Sequence, residues 1–65
     1  MGISADKLKA LRKQKGFSQE ELSKVSGIPV MTIRSWEQGS RTPRDIYVIE
    51  RFCNALEISI DDLLH

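Results

Sequence analysis

The strongest constraint on the fold lies in residues 18–39, SQEELSKVSGIPVMTIRSWEQG, where a glycine separates two short helical patterns. Ser18 and Glu21 have the spacing of a capping box, in which each side chain bonds the backbone N–H of the other residue. Gly27 tolerates the positive φ of a tight turn. Pro29 suits the first turn of a following helix, because its missing N–H would have no partner there. Two helices joined by a short turn are therefore predicted.

Apolar and small residues occupy the positions where these two helices must cross. Leu22 and Val25 are the predicted inner face of the first helix, and Ile33 and Trp36 are that of the second. Ser23 is small at the crossing point, where a bulky side chain would push the helices apart. Position by position, the segment fits a helix-turn-helix unit.

The remaining segments also have helical periodicity, and none alternates like a strand of useful length. Ser4 and Gly16 begin and end a first helix, Gly39 ends the third, Pro43 helps to begin a fourth, and Ser59 caps a fifth. The apolar stripe of the fourth helix consists of Ile46, Ile49, Phe52, Cys53 and Leu56. We predict an all-α fold, a single domain over residues 1–65, with helices at about 4–15, 19–26, 29–38, 44–56 and 60–64.

The composition excludes several classes of function. Cys53 is the single cysteine and His65 the single histidine, so the chain cannot form an intramolecular disulfide or assemble a cysteine-based zinc site. No apolar run is long enough to span a bilayer, no signal segment opens the chain, and no glycine-rich phosphate cradle is present. We therefore expect a cytoplasmic protein without cofactor or membrane partner, and not an enzyme.

The net charge of +1 conceals a division along the chain. Residues 1–44 contain nine basic and four acidic residues, a net charge of +5, whereas residues 45–65 contain one basic and five acidic residues, a net charge of −4. If the first part forms one face, that face suits a polyanion. Uneven charge is also common in small soluble proteins, so the division is no proof of such a partner.

The segment LRKQKGFSQEELSKVSGIPVMTIRSWEQGSRTP closely resembles the XRE family, the Cro- and phage-repressor-like helix-turn-helix domains of bacteria and their phages. The similarity extends from about Leu8 to Leu64, and the elements SQEEL, WEQG and the final DLL carry it. The resemblance implies a compact five-helix, lambda-repressor-like DNA-binding domain, with the helix-turn-helix formed by helices 2 and 3. It also implies that the helix at 29–38 enters the major groove.

The resemblance assigns roles to individual residues of this chain. Gln19 matches a residue that bonds a DNA phosphate and supports the base-reading side chains, and Arg41 and Arg44 lie in a loop that follows the sugar–phosphate backbone. Arg12 and Glu37 match an architectural ion pair between the first and third helices. The side chains expected to face DNA from the helix at 29–38 are Val30, Met31, Arg34, Ser35 and Gln38.

Val30 and Met31 depart from the family pattern, because well-known members have glutamine or another hydrogen-bonding residue there. An apolar side chain cannot read the polar edge of a purine, but it can pack on the C5 methyl of thymine, whereas Arg34 can bond guanine through two N–H groups. We expect these contacts and a modest ratio of specific to non-specific affinity, unless DNA shape or a second subunit adds discrimination.

The predicted function is a sequence-specific double-stranded DNA-binding regulator, a repressor, with two copies on half-sites roughly one helical turn apart. The dimer surface of relatives often involves the last helix, which makes Ile58, Ile60 and Leu64 candidates. The segment IRSWEQGSRTP also resembles antitoxins that repress their own operon and have a toxin partner. A second alternative is a helix-turn-helix used as a protein-interaction module, for which Val30 and Met31 would be suitable.

Overall fold

The computed structural model describes residues 3–64, and this part of the chain forms five helices and no strand. The helices are α1 (Ala5–Gln14), α2 (Gln19–Ser26), α3 (Val30–Gln38), α4 (Ile46–Leu56) and α5 (Ile60–Leu64). The all-α prediction is confirmed. His65 lies outside the described residues. Across the described residues, every helix is too short or too polar to cross a bilayer.

The helix-turn-helix segment has the end signals that its sequence predicts. Ser18 Oγ accepts a hydrogen bond from the Glu21 N–H at 3.0 Å, and Glu21 Oε1 accepts one from the Ser18 N–H at 2.9 Å, which completes the capping box. Gly27 ends α2 with φ of 75° and Gly39 ends α3 with φ of 80°. Both glycines adopt the left-handed conformation, which a side chain at either position would strain.

Three helices begin later than the sequence suggested. Ser4 is the N-cap of α1, so this helix extends over Ala5–Gln14 instead of about 4–15. Pro29 is the N-cap of α3 rather than its first residue, so the helix starts at Val30. Asp45 is the N-cap of α4, and its Oδ1 accepts a hydrogen bond from the Tyr47 N–H at 2.9 Å. Because this cap satisfies a free N–H of the first turn, α4 starts at Ile46 instead of 44.

The buried core brings side chains together from all five helices and from the turn between α2 and α3. Trp36 of α3 meets Phe52 of α4 edge to face, with ring centroids 6.1 Å apart, which is a favourable aromatic geometry. Cys53 is buried as predicted, and burial raises the pKa of its thiol. The core residues are Leu8, Leu22, Ile28, Ile33, Trp36, Phe52, Cys53, Leu56 and Leu63.

Two residues that periodicity assigned to inner faces are exposed: Val25 by 55% and Ile46 by 52%. On α2 the inner position one turn after Leu22 belongs to Ser26. The Ser26 hydroxyl donates to the Leu22 carbonyl at 2.6 Å and accepts from the Ile28 N–H at 3.1 Å. Ile46 lies outside the core because the buried side chains of α4 are in its later turns.

Replacing Ser26 by alanine should lower the free energy of unfolding by about 1–3 kcal/mol, because the buried Ile28 N–H would lose its acceptor. Val25→Ala removes more apolar volume, yet from an exposed site, and should change stability by less than about 0.5 kcal/mol. Urea unfolding followed by circular dichroism measures the free energy of unfolding of both variants. A larger loss for Val25→Ala than for Ser26→Ala would contradict the observed orientation of α2.

Candidate nucleic-acid interface

The turn between α2 and α3 fixes how α3 is presented. Ile28, in the middle of this turn, is buried in the core. The Ser23 hydroxyl donates to the Ile28 carbonyl at 2.6 Å, so Ser23 is both small enough for the helix crossing and a tie to the turn. Sequence reasoning identified the size of Ser23 but not this bond, nor the buried position of Ile28. Both contacts hold the start of α3 against α2.

The five side chains proposed to face DNA from α3, here called the recognition face, lie on its outer side or flanks. Met31 is exposed by 67%, Arg34 and Gln38 are exposed, and Val30 and Ser35 are partly buried. The Ser35 hydroxyl donates to the Met31 carbonyl at 3.0 Å, so its hydrogen is used within the helix. The structure therefore brings these residues to one side of the molecule, apart from the core residues Ile33 and Trp36.

The loop between α3 and α4 carries the two other basic candidates. Arg41 and Arg44 are both exposed. They border a groove whose walls also include Thr32 and Trp36 of α3 and the buried Pro43. Since the groove joins the loop to α3, both arginines lie beside the helix whose outer side is the recognition face.

Arg12 and Glu37 form an ion pair between α1 and α3 in which both side chains are nearly buried. Arg12 Nε donates to Glu37 Oε2 at 2.7 Å and Arg12 Nη2 donates to Glu37 Oε1 at 2.9 Å. Arg12 Nη1 donates to the Phe17 carbonyl at 2.7 Å, a contact that the sequence did not predict. This arrangement satisfies three directions of the guanidinium group and both oxygens of the carboxylate.

The pairing shifts the pKa values of both groups. The hydrogen bond to Glu37 raises the pKa of Arg12 above its ordinary value. Burial alone would raise the pKa of Glu37, but the hydrogen bonds from Arg12 and Gln19 and the positive charges of Arg12 and Lys9 together outweigh burial and lower it. Both groups are therefore held in their charged forms.

A chain of hydrogen bonds continues from this pair to the surface of α3. Gln19 Nε2 donates to Glu37 Oε1 at 3.1 Å, and Gln19 Oε1 accepts from Arg34 Nε at 3.2 Å. Arg34 Nη2 also donates to Glu20 Oε2 at 3.4 Å, in a pair that is largely exposed to solvent. We call these five side chains, Arg12, Glu37, Gln19, Arg34 and Glu20, the polar network.

Glu20 is the member of the network that sequence reasoning missed. Its charge is opposite to that of Arg34, but the two residues are 14 positions apart on different helices. Only the packing of α2 against α3 shows that they meet. The structure does bring together Gln19 and Arg34, whose roles were both assigned from the family resemblance.

The proposed dimerisation residues lie at the end of the chain, in and before α5. Ile58 is partly buried and packs against the core. Ile60 and Leu64 are exposed by 36% and 44% and are one helical turn apart, whereas Leu63 is buried between them in sequence. The last helix thus presents two neighbouring apolar side chains to solvent and anchors itself through a third.

Small DNA-binding helix-turn-helix domains consist of two helices joined by a tight turn, and the second helix is exposed. This protein has that arrangement in α2, the turn and α3, with basic side chains on α3 and just after it. A family model described as helix-turn-helix matches residues 8–63, and the chain belongs to this family. An uncharacterized HTH-type transcriptional regulator of Bacillus subtilis (strain 168), YazB, is 37% identical over 57 residues. That match covers 88% of this chain and 81% of YazB.

Solved structures match over nearly the whole chain. SinR, described as the master regulator for biofilm formation, in complex with DNA, has a TM-score of 0.88 and 30% identity, covering 94% of this chain and 97% of that chain. The restriction-modification controller protein C.AhdI from Aeromonas hydrophila has a TM-score of 0.83 and 32% identity, covering 91% and 88%. The predicted XRE-type fold and family are confirmed.

Replacing Glu37 by glutamine should destabilise the protein at pH 7 by about 3–5 kcal/mol, because Arg12 would remain buried without its counter-ion. The folded-state pKa of Glu37 is lowered from 4.5, so its contribution to stability is present above about pH 4.5 and lost as the pH falls through the folded pKa. The difference between wild type and variant should therefore shrink under acid conditions.

Urea unfolding at pH 7 and at a series of pH values below 4.5 measures this difference. Glu50→Gln removes the same charge from an exposed position on α4 and is the matched control. A Glu37→Gln variant as stable as the Glu50→Gln variant at pH 7 would contradict the structural importance of the pair.

Proposed function

We propose that the protein is a sequence-specific double-stranded DNA-binding transcriptional regulator, a repressor, that reads the major groove with α3. The observation that carries the proposal is the recognition face: an exposed helix surface whose arginine is tied to the buried ion pair through Gln19. The comparisons support it, since SinR is in complex with DNA, YazB is described as an HTH-type transcriptional regulator and C.AhdI is a controller protein.

The side chains of the interface divide into base readers and phosphate contacts. Val30 and Met31 pack on thymine methyl groups, and Arg34 donates two hydrogen bonds to guanine. Ser35 and Gln38 complete the reading surface on the same helix. The phosphate contacts, which position the helix without reading sequence, come from Gln19, Arg41 and Arg44.

The protein acts as a homodimer on DNA. The α3 helix of each subunit, its recognition helix, lies in one of two successive major grooves about 34–36 Å apart. The dimer surface includes Ile60 and Leu64, whose exposed apolar side chains lie together on α5, and the edge of Ile58. Residues 1–65 act as one DNA-binding domain in a bacterial or phage-encoded cytoplasmic regulator. Opposite net charges at the two ends of the sequence support this orientation, with the basic part toward DNA.

Selection from random duplex DNA at low salt tests the proposal, followed by titration of the selected site with salt and fluorescence anisotropy. A paired motif with thymines and a guanine under each recognition helix is the expected result. Binding with a steep salt dependence but without an enriched motif would contradict sequence-specific reading. No binding at low salt would favour a protein-interaction module instead, for which the exposed Met31 is the supporting feature.

The antitoxin alternative shares this fold and this mode of DNA binding, and it adds a toxin as partner. Purification of the protein from its native host at moderate salt distinguishes the two roles. A stoichiometric partner encoded next to it would favour the antitoxin, whereas a homodimer alone would favour the simple repressor.

Arg34→Ala and Arg44→Ala form a matched pair of variants, since each removes one exposed arginine. Arg34→Ala should cost about 1–3 kcal/mol on the selected site and relax the preference at one base pair. Arg44→Ala should weaken binding to all sequences alike and reduce the slope of log K against log salt by about one unit. Competition titrations against single-base variants of the site measure the base preference, and titrations with salt measure the slope. If Arg44→Ala changed the base preference and Arg34→Ala changed only the slope, Arg44 would be the base reader and Arg34 the phosphate contact.

Replacing the thymines under the recognition helix by deoxyuridine removes only their methyl groups. Wild-type affinity should fall about fourfold per contacted methyl, the equivalent of ~0.8 kcal/mol for one buried carbon. A Val30→Ala/Met31→Ala double variant should bind the thymine and deoxyuridine sites with nearly equal affinity. Equal affinity already in the wild type would rule out methyl reading by this pair.

A further inference from the structure

The guanidinium group of Arg34 is held along one of its edges. Nε donates to Gln19 Oε1 at 3.2 Å and Nη2 donates to Glu20 Oε2 at 3.4 Å. Nε and Nη2 form the side edge of the planar group. Both acceptors, Gln19 and Glu20, lie in the first turn of α2, so two residues of α2 bind an arginine of α3.

The orientation of the Gln19 amide is determined from the interior of the protein. Glu37 is a charged carboxylate and can only accept hydrogen bonds, so the NH2 end of Gln19 must face it. The carbonyl end of Gln19 must then point the other way, toward Arg34. The buried Arg12–Glu37 pair thus selects an acceptor, rather than a donor, at the position that receives the Arg34 Nε–H.

A second edge of the Arg34 guanidinium group, its end edge, stays available. The hydrogen bonds among the described residues give Nη1 no acceptor and use Nη2 toward Glu20 alone. The end edge, formed by Nη1 and the second Nη2 hydrogen, can therefore donate to an outside group while the side edge stays bound. Guanine O6 and N7 accept two such hydrogen bonds from one arginine edge in the major groove.

We infer that Glu20 is a specificity-determining residue that positions Arg34 for guanine; the inference rests on the proposed function of α3. Gln19 and Glu20 together fix two points of the guanidinium plane, whereas Gln19 alone would leave it free to rotate about one hydrogen bond. A plane that is already oriented loses less conformational entropy when it binds the base.

Glu20 supports binding to guanine but weakens non-specific binding to DNA. The Glu20 side chain is 64% exposed beside an Arg34 side chain that is 47% exposed, so its carboxylate remains close to the surface that would meet DNA. A negative charge there repels phosphates and partly neutralises Arg34. Glu20 thus lowers the affinity for DNA without the right guanine and supports the contact where that guanine is present. Both effects raise the ratio of specific to non-specific affinity.

Glu20→Gln tests the inference, because it removes the charge but keeps the size of the side chain. At low salt, affinity for random duplex DNA should rise about two- to fivefold, and preference for guanine over other bases under Arg34 should fall by a similar factor. Glu50→Gln, with the same change in net charge on α4, should leave the base preference as in wild type. Fluorescence anisotropy measures the affinity for random duplex DNA, and competition between sites that differ at this one base pair measures the preference for guanine.

Arg34→Ala and the Glu20→Gln/Arg34→Ala double variant complete the cycle. In the absence of Arg34, Glu20→Gln should still raise non-specific affinity but should no longer change base preference, which a general structural effect would not reproduce. Unchanged guanine preference in Glu20→Gln alone would overturn the role of Glu20 and leave the proposed function intact. A wild-type protein without any base preference would overturn both.

Discussion

A buried guanidinium–carboxylate pair joins the first and third helices of this domain, and the geometry of the interface depends on it. Arg12 reaches Glu37 through two hydrogen bonds and the Phe17 carbonyl through a third, so it ties together α1, the chain leading into α2, and α3. Burying two charges is expensive unless each is paired and hydrogen-bonded. This requirement also constrains orientation, because the two hydrogen bonds of the pair form only when α3 lies close against α1.

The same pair extends to the protein surface through Gln19. A recognition helix must present its side chains without first having to order them, since every bond that is free to rotate costs affinity when it is fixed by DNA. In this molecule the order comes from inside: the core carboxylate orients Gln19, and Gln19 with Glu20 orients Arg34. The recognition face is therefore coupled to the core by polar contacts, while Ile33 and Trp36 anchor the other side of α3 by burial.

The recognition face combines few chemical groups, and their contrast is informative. Met31 is apolar and extensively exposed, Arg34 is charged and held, and the Ser35 hydroxyl is occupied by its own helix. Such a surface has little capacity for hydrogen-bond reading except through its arginine and glutamine. Under the proposed function, the placement of Arg34 therefore matters more here than on a helix with several polar readers, and the role inferred for Glu20 follows from this.

Local chemistry in the sequence predicted the helices and the turn, whereas the family was predicted from the resemblance of the motifs SQEEL, WEQG and DLL. Ser18 with Glu21, Gly27 and Gly39 act within a few residues of themselves, so their spacing alone predicts where helices begin and end. Apolar periodicity was less reliable, since it predicted that Val25 is buried. Ser26 is buried instead, because its hydroxyl bonds the Leu22 carbonyl and the Ile28 N–H.

The tertiary structure decided which charged and polar groups meet, apart from the Arg12–Glu37 pair. The pairing of Arg12 with Glu37 was expected from family resemblance, but the contacts of Gln19 with Glu37 and of Arg34 with Glu20 span 18 and 14 positions. No local signal encodes such distances, because they depend on the crossing of α2 and α3 and on the rotation of each helix about its axis. The sequence by itself determined the elements and their class, and the packing of those elements determined the direction in which Arg34 points.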